Sequence, residues 1–337
     1  MTRMSAVLFF ILTFFPGLTA ELKTGPLPIS LRKKHLYLTD NLLHFSALTQ
    51  TQNSYFKNIL QLNLAMLLVS TSGVLGRAVT LPPVVTIGWR ALLAVVFLLL
   101  FLKWKSISLI IERKDRLKVF LGGILMGIHW VAYFKALQLS NVAIGMLTIF
   151  TYPALTSILE PLLLKLPFQK IHLFLGLLVL AGIAFLIPDF DFENQYTQAV
   201  AFGLASALAY ALRNILMKKQ VAKYHGSLLM MYQALIIGVL LIPLSFQTSM
   251  EALQDNFMWI LALALLTTAL GHTLFLLTFR YFSITTASII SSVQPVYGIL
   301  LGIFFLNEVP KLATLVGGLL IISAVVIESL RTAKKKS

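Results

Sequence analysis

The chain has 337 residues, of which 58% are hydrophobic and only 12% charged, against about half apolar and a quarter charged in soluble domains. That balance excludes a water-soluble globule and makes lipid the expected solvent. The net charge of +15 and the absence of cysteine exclude a disulfide framework and a thiolate metal site. They do not indicate a nucleic-acid surface either, because Lys and Arg fall in short clusters between apolar stretches, where they set membrane topology.

Residues 1–56 stand apart. Met1 to Ala20 carries Arg3, a short apolar core and Leu18-Thr19-Ala20, which resembles a secretory signal. A cleaved signal conflicts with the charge at Lys57. A start placed too far upstream, and a peripheral or eleventh segment, both stay open, and no function rests on this region.

Ten apolar stretches follow, near 59–79, 84–102, 119–139, 141–164, 171–187, 198–217, 228–246, 257–279, 284–306 and 312–329. Each is close to the 20 or so apolar residues that a helix needs to cross a bilayer. Helices are expected because lipid offers backbone N–H and C=O groups no partner. With ten spans, the cationic loops all fall on one side: Lys103 to Lys118, Lys165 and Lys170, Lys218 to Lys223, Arg280, and the tail from Arg331 to Lys336. The acidic connections, with Asp189, Asp191, Glu193, Glu251, Asp255 and Glu308, fall on the other. Both ends of this core, including the basic tail 330–337, are expected to be cytoplasmic.

The stretches repeat. Setting Pro153 against Pro295 gives an offset of 142 that also brings Gly176 onto Gly318 and Ala181 onto Ser323. His129 and His272 lie one position out of this register. The halves, 57–187 and 198–329, hold five spans each. An odd number makes them enter the membrane in opposite senses, as in secondary transporters with a midplane site between inverted repeats.

Several short motifs match an EamA-type domain. In the first half these are Tyr133-Phe134-Lys135-Ala136-Leu137, Ser140-Asn141-Val142-Ala143 and Tyr152-Pro153. In the second they are Ser283-Ile284-Thr285-Thr286-Ala287, Gln294-Pro295, Asn307-Glu308 and Gly317-Gly318. With Arg90 after Pro82-Pro83, the chain over 59–329 resembles the EamA-type permeases of the drug/metabolite transporter superfamily. The resemblance implies an all-α integral membrane fold of ten transmembrane helices in two inverted five-helix repeats. It also implies movement, in the outward direction, of small metabolites such as amino acids and their relatives. In one respect the sequence departs from the pattern: Glu308 has no acidic match in the first half, where Leu166 and Pro167 stand, and Glu160 lies earlier instead.

Charge inside hydrocarbon is costly and marks function or pairing. Arg90 lies seven residues into its span, and either snorkels to the interface or faces a cavity and attracts a carboxylate. Arg77 and Lys135 are expected to snorkel, with no acid at their depth. Glu160 lies far from the ends of its span, between Pro153 and Pro161. It either binds a substrate amine or carries a coupling proton, or else it pairs with a neighbouring Arg or Lys such as Arg213 or Arg280. His129 and Tyr133 share one helical face. With Trp130, Tyr152, His272 and Gln294 they are candidates to line a pocket or to pack the bundle. Pro153, Pro161 and Pro295 are expected to bend helices. Gly123 and Gly127, with Gly176, Gly317 and Gly318, are expected to allow close helix contact.

There is no G-x-x-x-x-G-K-[ST], so no ATP motor is encoded. No H-E-x-x-H or G-x-S-x-G occurs, and no metal or cofactor is implied. The expected partners are a small-molecule substrate, the lipid bilayer and a coupling proton or ion. The expected location is the inner (plasma) membrane. The rival readings are a membrane sensor or scaffold and an intramembrane enzyme; within transport, nucleotide sugars, lipids or drugs are alternative cargo.

Overall fold

The computed structural model describes residues 57–165, 171–186, 191, 193–282, 287, 291 and 293–334. The signal-like segment and the residues 283–286, 288–290 and 292 lie outside them. The described residues form helices and no strands. Among the described residues seven helical stretches are long and apolar enough to cross a membrane, Val142–Leu163 and Met250–Thr278 each counted as one, and three shorter apolar helices accompany them.

α1 spans Lys57–Ala78, α2 Pro83–Trp104 and α3 Arg113–Leu139. The fourth apolar stretch is two helices, α4 (Val142–Ile149) and α5 (Tyr152–Leu164). α6 is Ile171–Leu186 and α7 is Gln195–Val221. α8, Gly226–Leu241, tightens into a 3-10 turn over Ile242–Gln247. α9, Met250–Ala262, widens into a π-helical segment over Leu263–His272 before α10, Thr273–Thr278. α11 is Gln294–Leu306 and α12 is Leu312–Lys334.

The interruption between α4 and α5 falls at Phe150–Thr151, just ahead of Pro153, within the apolar stretch Val142–Leu163. Proline lacks an N–H and fits the first turn of a helix. Pro153 and Pro295 accordingly sit at the starts of α5 and α11. Only Pro161 is inside a helix. The carbonyls near the break are met locally, with Thr151 Oγ1 donating to the Thr148 carbonyl at 2.8 Å and Thr148 Oγ1 to that of Ile144 at 2.8 Å. Such back-bonding satisfies hydroxyls where no water is at hand.

α3 packs along α7, α2 along α8, and α6 along α12. The glycines explain how closely. A Cβ on Gly123 or Gly127 would meet Ile236 or Ile237 of α8 at 2.9 and 3.3 Å, and one on Gly182 would lie 2.8 Å from the Gly317 carbonyl. Gly176 is the exception to the expected packing role, because a Cβ there meets nothing within 4 Å.

The surface is apolar, with Leu100, Leu177, Leu319 and Phe304 all exposed, while Arg90, Arg213, His129, His272 and Gln233 are buried. A soluble protein has the reverse arrangement. Exposed apolar area on this scale, with polar groups inside, marks a multi-pass membrane protein.

The two ends are tied differently from the middle. At one end Arg77 Nε donates to Glu308 Oε1 at 2.9 Å, and its Nη1 to the Leu137 carbonyl at 3.2 Å. Glu308 Oε2 accepts the Val142 N–H at 2.8 Å. At the opposite end, some 40 Å along the 27 residues of α3 at about 1.5 Å each, Asp115 receives Lys223 Nζ at 2.9 Å and the Tyr224 hydroxyl at 3.0 Å. Arg280 there donates to the carbonyls of Val221 and Tyr224.

Candidate functional site

The centre of the bundle gathers polar and aromatic side chains from α2, α3, α5, α7 and the π-helical segment. Arg90 is 1% exposed, so it does not snorkel. Its guanidinium carbon lies 4.3 Å from the Trp130 ring centre and 5.5 Å from that of Phe134, one turn along α3. Its Nε donates to Thr268 Oγ1 at 2.8 Å. Nη1 and Nη2 are sealed from solvent and have no hydrogen-bond partner among the described residues.

Trp130 fixes a histidine as well as the arginine. Its Nε1–H donates to His272 Nε2 at 3.3 Å, so Nε2 is the accepting nitrogen and the ring proton sits on Nδ1. That Nδ1 is also buried without a partner among the described residues. Thr268 and His272 are one turn apart on the π-helical segment, and Thr267 Oγ1 is tied back to the Leu263 carbonyl at 2.6 Å. A π-helical turn carries an extra residue and is often found at functional sites.

His129 takes the other side of the cluster. Its ring stacks on Tyr210 at 4.4 Å and on Tyr133 at 6.3 Å. Nδ1 lies 2.8 Å from Ser206 Oγ, and that hydroxyl lies 2.9 Å from the His129 carbonyl. A hydroxyl has one proton. Ser206 gives it to the carbonyl, so His129 donates through Nδ1. Tyr210 also meets Tyr152 at 4.9 Å and His272 at 6.4 Å between ring centres. Tyr152 Oη lies 2.9 Å from Ser291 Oγ, and Tyr133 Oη donates to Met146 Sδ at 3.3 Å. Gln294 is buried, and its Nε2 lies 3.9 Å from the same sulfur.

The structure therefore brings together Arg90, His129, Trp130, Tyr133, Tyr152 and His272, and sets Gln294 at the edge beside Met146. Glu160 is elsewhere. It is one turn from the end of α5, and its Oε1 receives Lys218 Nζ at 2.9 Å. Neither expected partner is involved: Arg213 binds Gln233 Oε1 at 2.8 Å and Asn214 Oδ1 at 3.0 Å, while Arg280 caps carbonyls. The expectation that Arg77 has no acid at its depth also fails, since Glu308 folds back from its loop to meet it. Lys135 is half-buried.

Tyr210, Ser206, Arg213 and Thr268 are central residues that the sequence reading passed over as site candidates. Ser206 and Tyr210 are four apart on α7, the same i,i+4 signal that picked out His129 and Tyr133. Arg213 is a charge inside an apolar span. No sequence signal marks Thr268, whose position depends on the π-helical turn.

The EamA-like transporter family matches residues 57–187 and again 197–330. The chain belongs to that family. The chain is 26% identical over 205 residues to an uncharacterized transporter of Archaeoglobus fulgidus, covering 58% of this chain and 70% of that one. It is 24% identical over 258 residues to the pseudopaline exporter CntI of Pseudomonas aeruginosa, covering 76% of this chain and 88% of that one. A solved structure superposes with a TM-score of 0.62 at 16% identity, over 83% of this chain and 99% of that one. That likeness speaks for the fold alone.

Proposed function

We propose that this EamA-like protein is a secondary transporter that exports small metabolites by alternating access, through ten membrane helices arranged as two inverted five-helix repeats, 57–187 and 198–329. The observation that carries the reading is Arg90, a fully buried cation whose two terminal nitrogens have no partner among the described residues. Leaving such a group empty in a low-dielectric interior is costly, and a cargo group that fills it offsets the cost. Arg90, His129, Trp130, Tyr133, Tyr152 and His272 form the cargo site, and Gln294 its rim.

The repeat draws support from contacts between equivalent positions. Trp130 and His272 are 142 residues apart and touch, and α2 packs on α8 and α6 on α12. Equivalent elements meet each other where a pseudo-two-fold axis runs. The two ion pairs follow the same logic. Arg77 ends the first span and meets the acid after the ninth; Lys218 ends the sixth and meets the acid late in the fourth. Glu160 thus does for one end what Glu308 does for the other, although the sequence offset does not align them. In this reading each pair is a latch, with Arg77–Glu308 outside and Lys218–Glu160 on the cytoplasmic side, and each opens in turn. The loop charges support that orientation. The relative named as an exporter supports the outward direction.

Catalysis by Ser206 and His129 is the competing use of the cluster. It is disfavoured because the Ser206 proton is committed to a backbone carbonyl, whereas a nucleophile must give its proton to the base.

The test compares solutes in the medium of cells making the wild type, Arg90→Gln or neither, with membrane abundance matched. One class of solute is expected to accumulate only with the wild type. Equal release by wild type and Arg90→Gln contradicts Arg90 as the cargo contact, and no difference from cells making neither contradicts export.

A further inference from the structure

The unpaired atoms at the centre have a chemical bias. Among the described residues, Arg90 Nη1, Arg90 Nη2 and His272 Nδ1 are buried donors without a partner, and the unpaired hydroxyl of Thr273, next to His272 in the chain, is also able to accept. The three donors are close together: Arg90 is held by Thr268, and His272 is one turn further along the same helix. A cargo that satisfies them supplies acceptors rather than donors.

The second arginine adds charge without compensation. Arg213 is completely buried, three residues from Tyr210 on α7, and its nitrogens meet Gln233, Asn214 and Met230 Sδ, all neutral. No described acidic side chain is bonded to the cluster. Glu160 and Glu308 are engaged by Lys218 and Arg77 at the ends, and Asp115 by Lys223 and Lys118. Two aromatic faces of the kind that holds an ammonium are already covered. The Trp130 face carries the Arg90 guanidinium, and Tyr210 is stacked by His129.

We infer that the cargo of this site is a net-negative metabolite with at least two anionic oxygen-bearing groups, carboxylate or phosphate, and no requirement for an ammonium. One group takes the two Arg90 nitrogens side by side, as planar guanidinium favours, with His272 Nδ1 as a further donor. The other balances the field of Arg213. Zwitterionic amino acids lack the second charge and bring a cation for which the site has no acid. The inference rests on the central cluster being the cargo site, as proposed above.

The experiment measures melting temperature and affinity of the purified full chain in lipid nanodiscs. The probes are succinate, glycerol phosphate, alanine and putrescine. Succinate or glycerol phosphate is expected to raise the melting temperature by several degrees, and the pair separates carboxylate from phosphate recognition. Alanine is expected to bind at least tenfold more weakly, and putrescine to give no shift. Arg90→Gln should weaken the preferred anion by roughly 10- to 100-fold, as expected for losing hydrogen bonds to a charged group. Arg90→Lys, which keeps the charge but not the fork, should fall between the two.

Preferential stabilisation by alanine or putrescine overturns the inference. So does the absence of any anion response from a protein that still melts cooperatively. Efflux from vesicles then separates this idea from the transport reading. If the preferred anion binds but does not move, transport fails and the charge assignment stands. If alanine moves and the anions neither bind nor move, the charge assignment fails and transport stands.

Discussion

Cations at the ends of the bundle are paired, and cations at its centre are not. Arg77 and Lys218 each meet a carboxylate at 2.9 Å where side chains are partly exposed, at 32% and 40%. Arg90 and Arg213 are sealed in the interior, and their partners are a threonine, two amides and a sulfur. Desolvation runs the other way from this distribution: the deeper the charge, the greater the need for a counter-ion. A protein under selection for stability alone would place its acids at the centre. Under the proposed reading the end pairs latch the two faces in turn, and the central charges are kept for a cargo group that the protein does not itself contain.

The largest effect should come from Arg90→Gln. Transport is expected to fall by about 100-fold or more, from the loss of two charge-assisted bonds, while membrane abundance and helix content stay near wild type. Vesicle efflux at matched protein density checks this; near-normal efflux would erase the contrast between centre and ends.

Packing supplies the next test. Gly182→Leu places a side chain against the Gly317 carbonyl 2.8 Å away. Because backbone cannot yield as a side-chain tip does, it is expected to destabilise by about 1–3 kcal/mol or more. Gly176→Leu, facing open space, should cost little. Thermal unfolding of the two variants side by side decides it.

The end pairs should respond more gently. Glu308→Gln leaves Arg77 able to reach solvent, so the loss is expected to be about 1 kcal/mol or less. The exchange Arg77→Glu with Glu308→Arg should recover part of it. If the exchange recovers transport no better than either single change, the pair is not a latch.

The smallest effect is expected for Glu160→Gln, whose partner Lys218 is the more exposed of the two cations. Salt should mask most of its loss. A change in the pH profile of efflux, absent in Lys218→Gln, would instead return Glu160 to the role of proton carrier.

Much of this was legible in the sequence, for stated reasons. Apolar length gave the all-helical, membrane-embedded character, because lipid leaves the backbone no alternative to helix. Arg90 stood out because a charge in hydrocarbon is rare, and His129 with Tyr133 because i,i+4 neighbours share a face. What was not legible depended on contacts between distant segments. By apolar length alone Glu160 falls in the middle of its span, but α5 ends at Leu164 and places it near Lys218. The partner of Arg77 has no local signal because Glu308 is 231 residues away. The π-helical turn that aims Thr268 and His272 inward has no local signature among its leucines, alanines and threonines.

The most direct measurement is the unfolding temperature of the cargo-free protein with Arg90→Met, beside the wild type and Arg77→Met. If the central cation is kept for cargo, Arg90→Met relieves an unpaired buried charge while filling the space beside Trp130 and Phe134. The empty variant should then melt higher than wild type and transport nothing, whereas Arg77→Met melts slightly lower. An Arg90→Met protein that melts lower and still transports would show that Arg90 holds the fold, and would contradict the account.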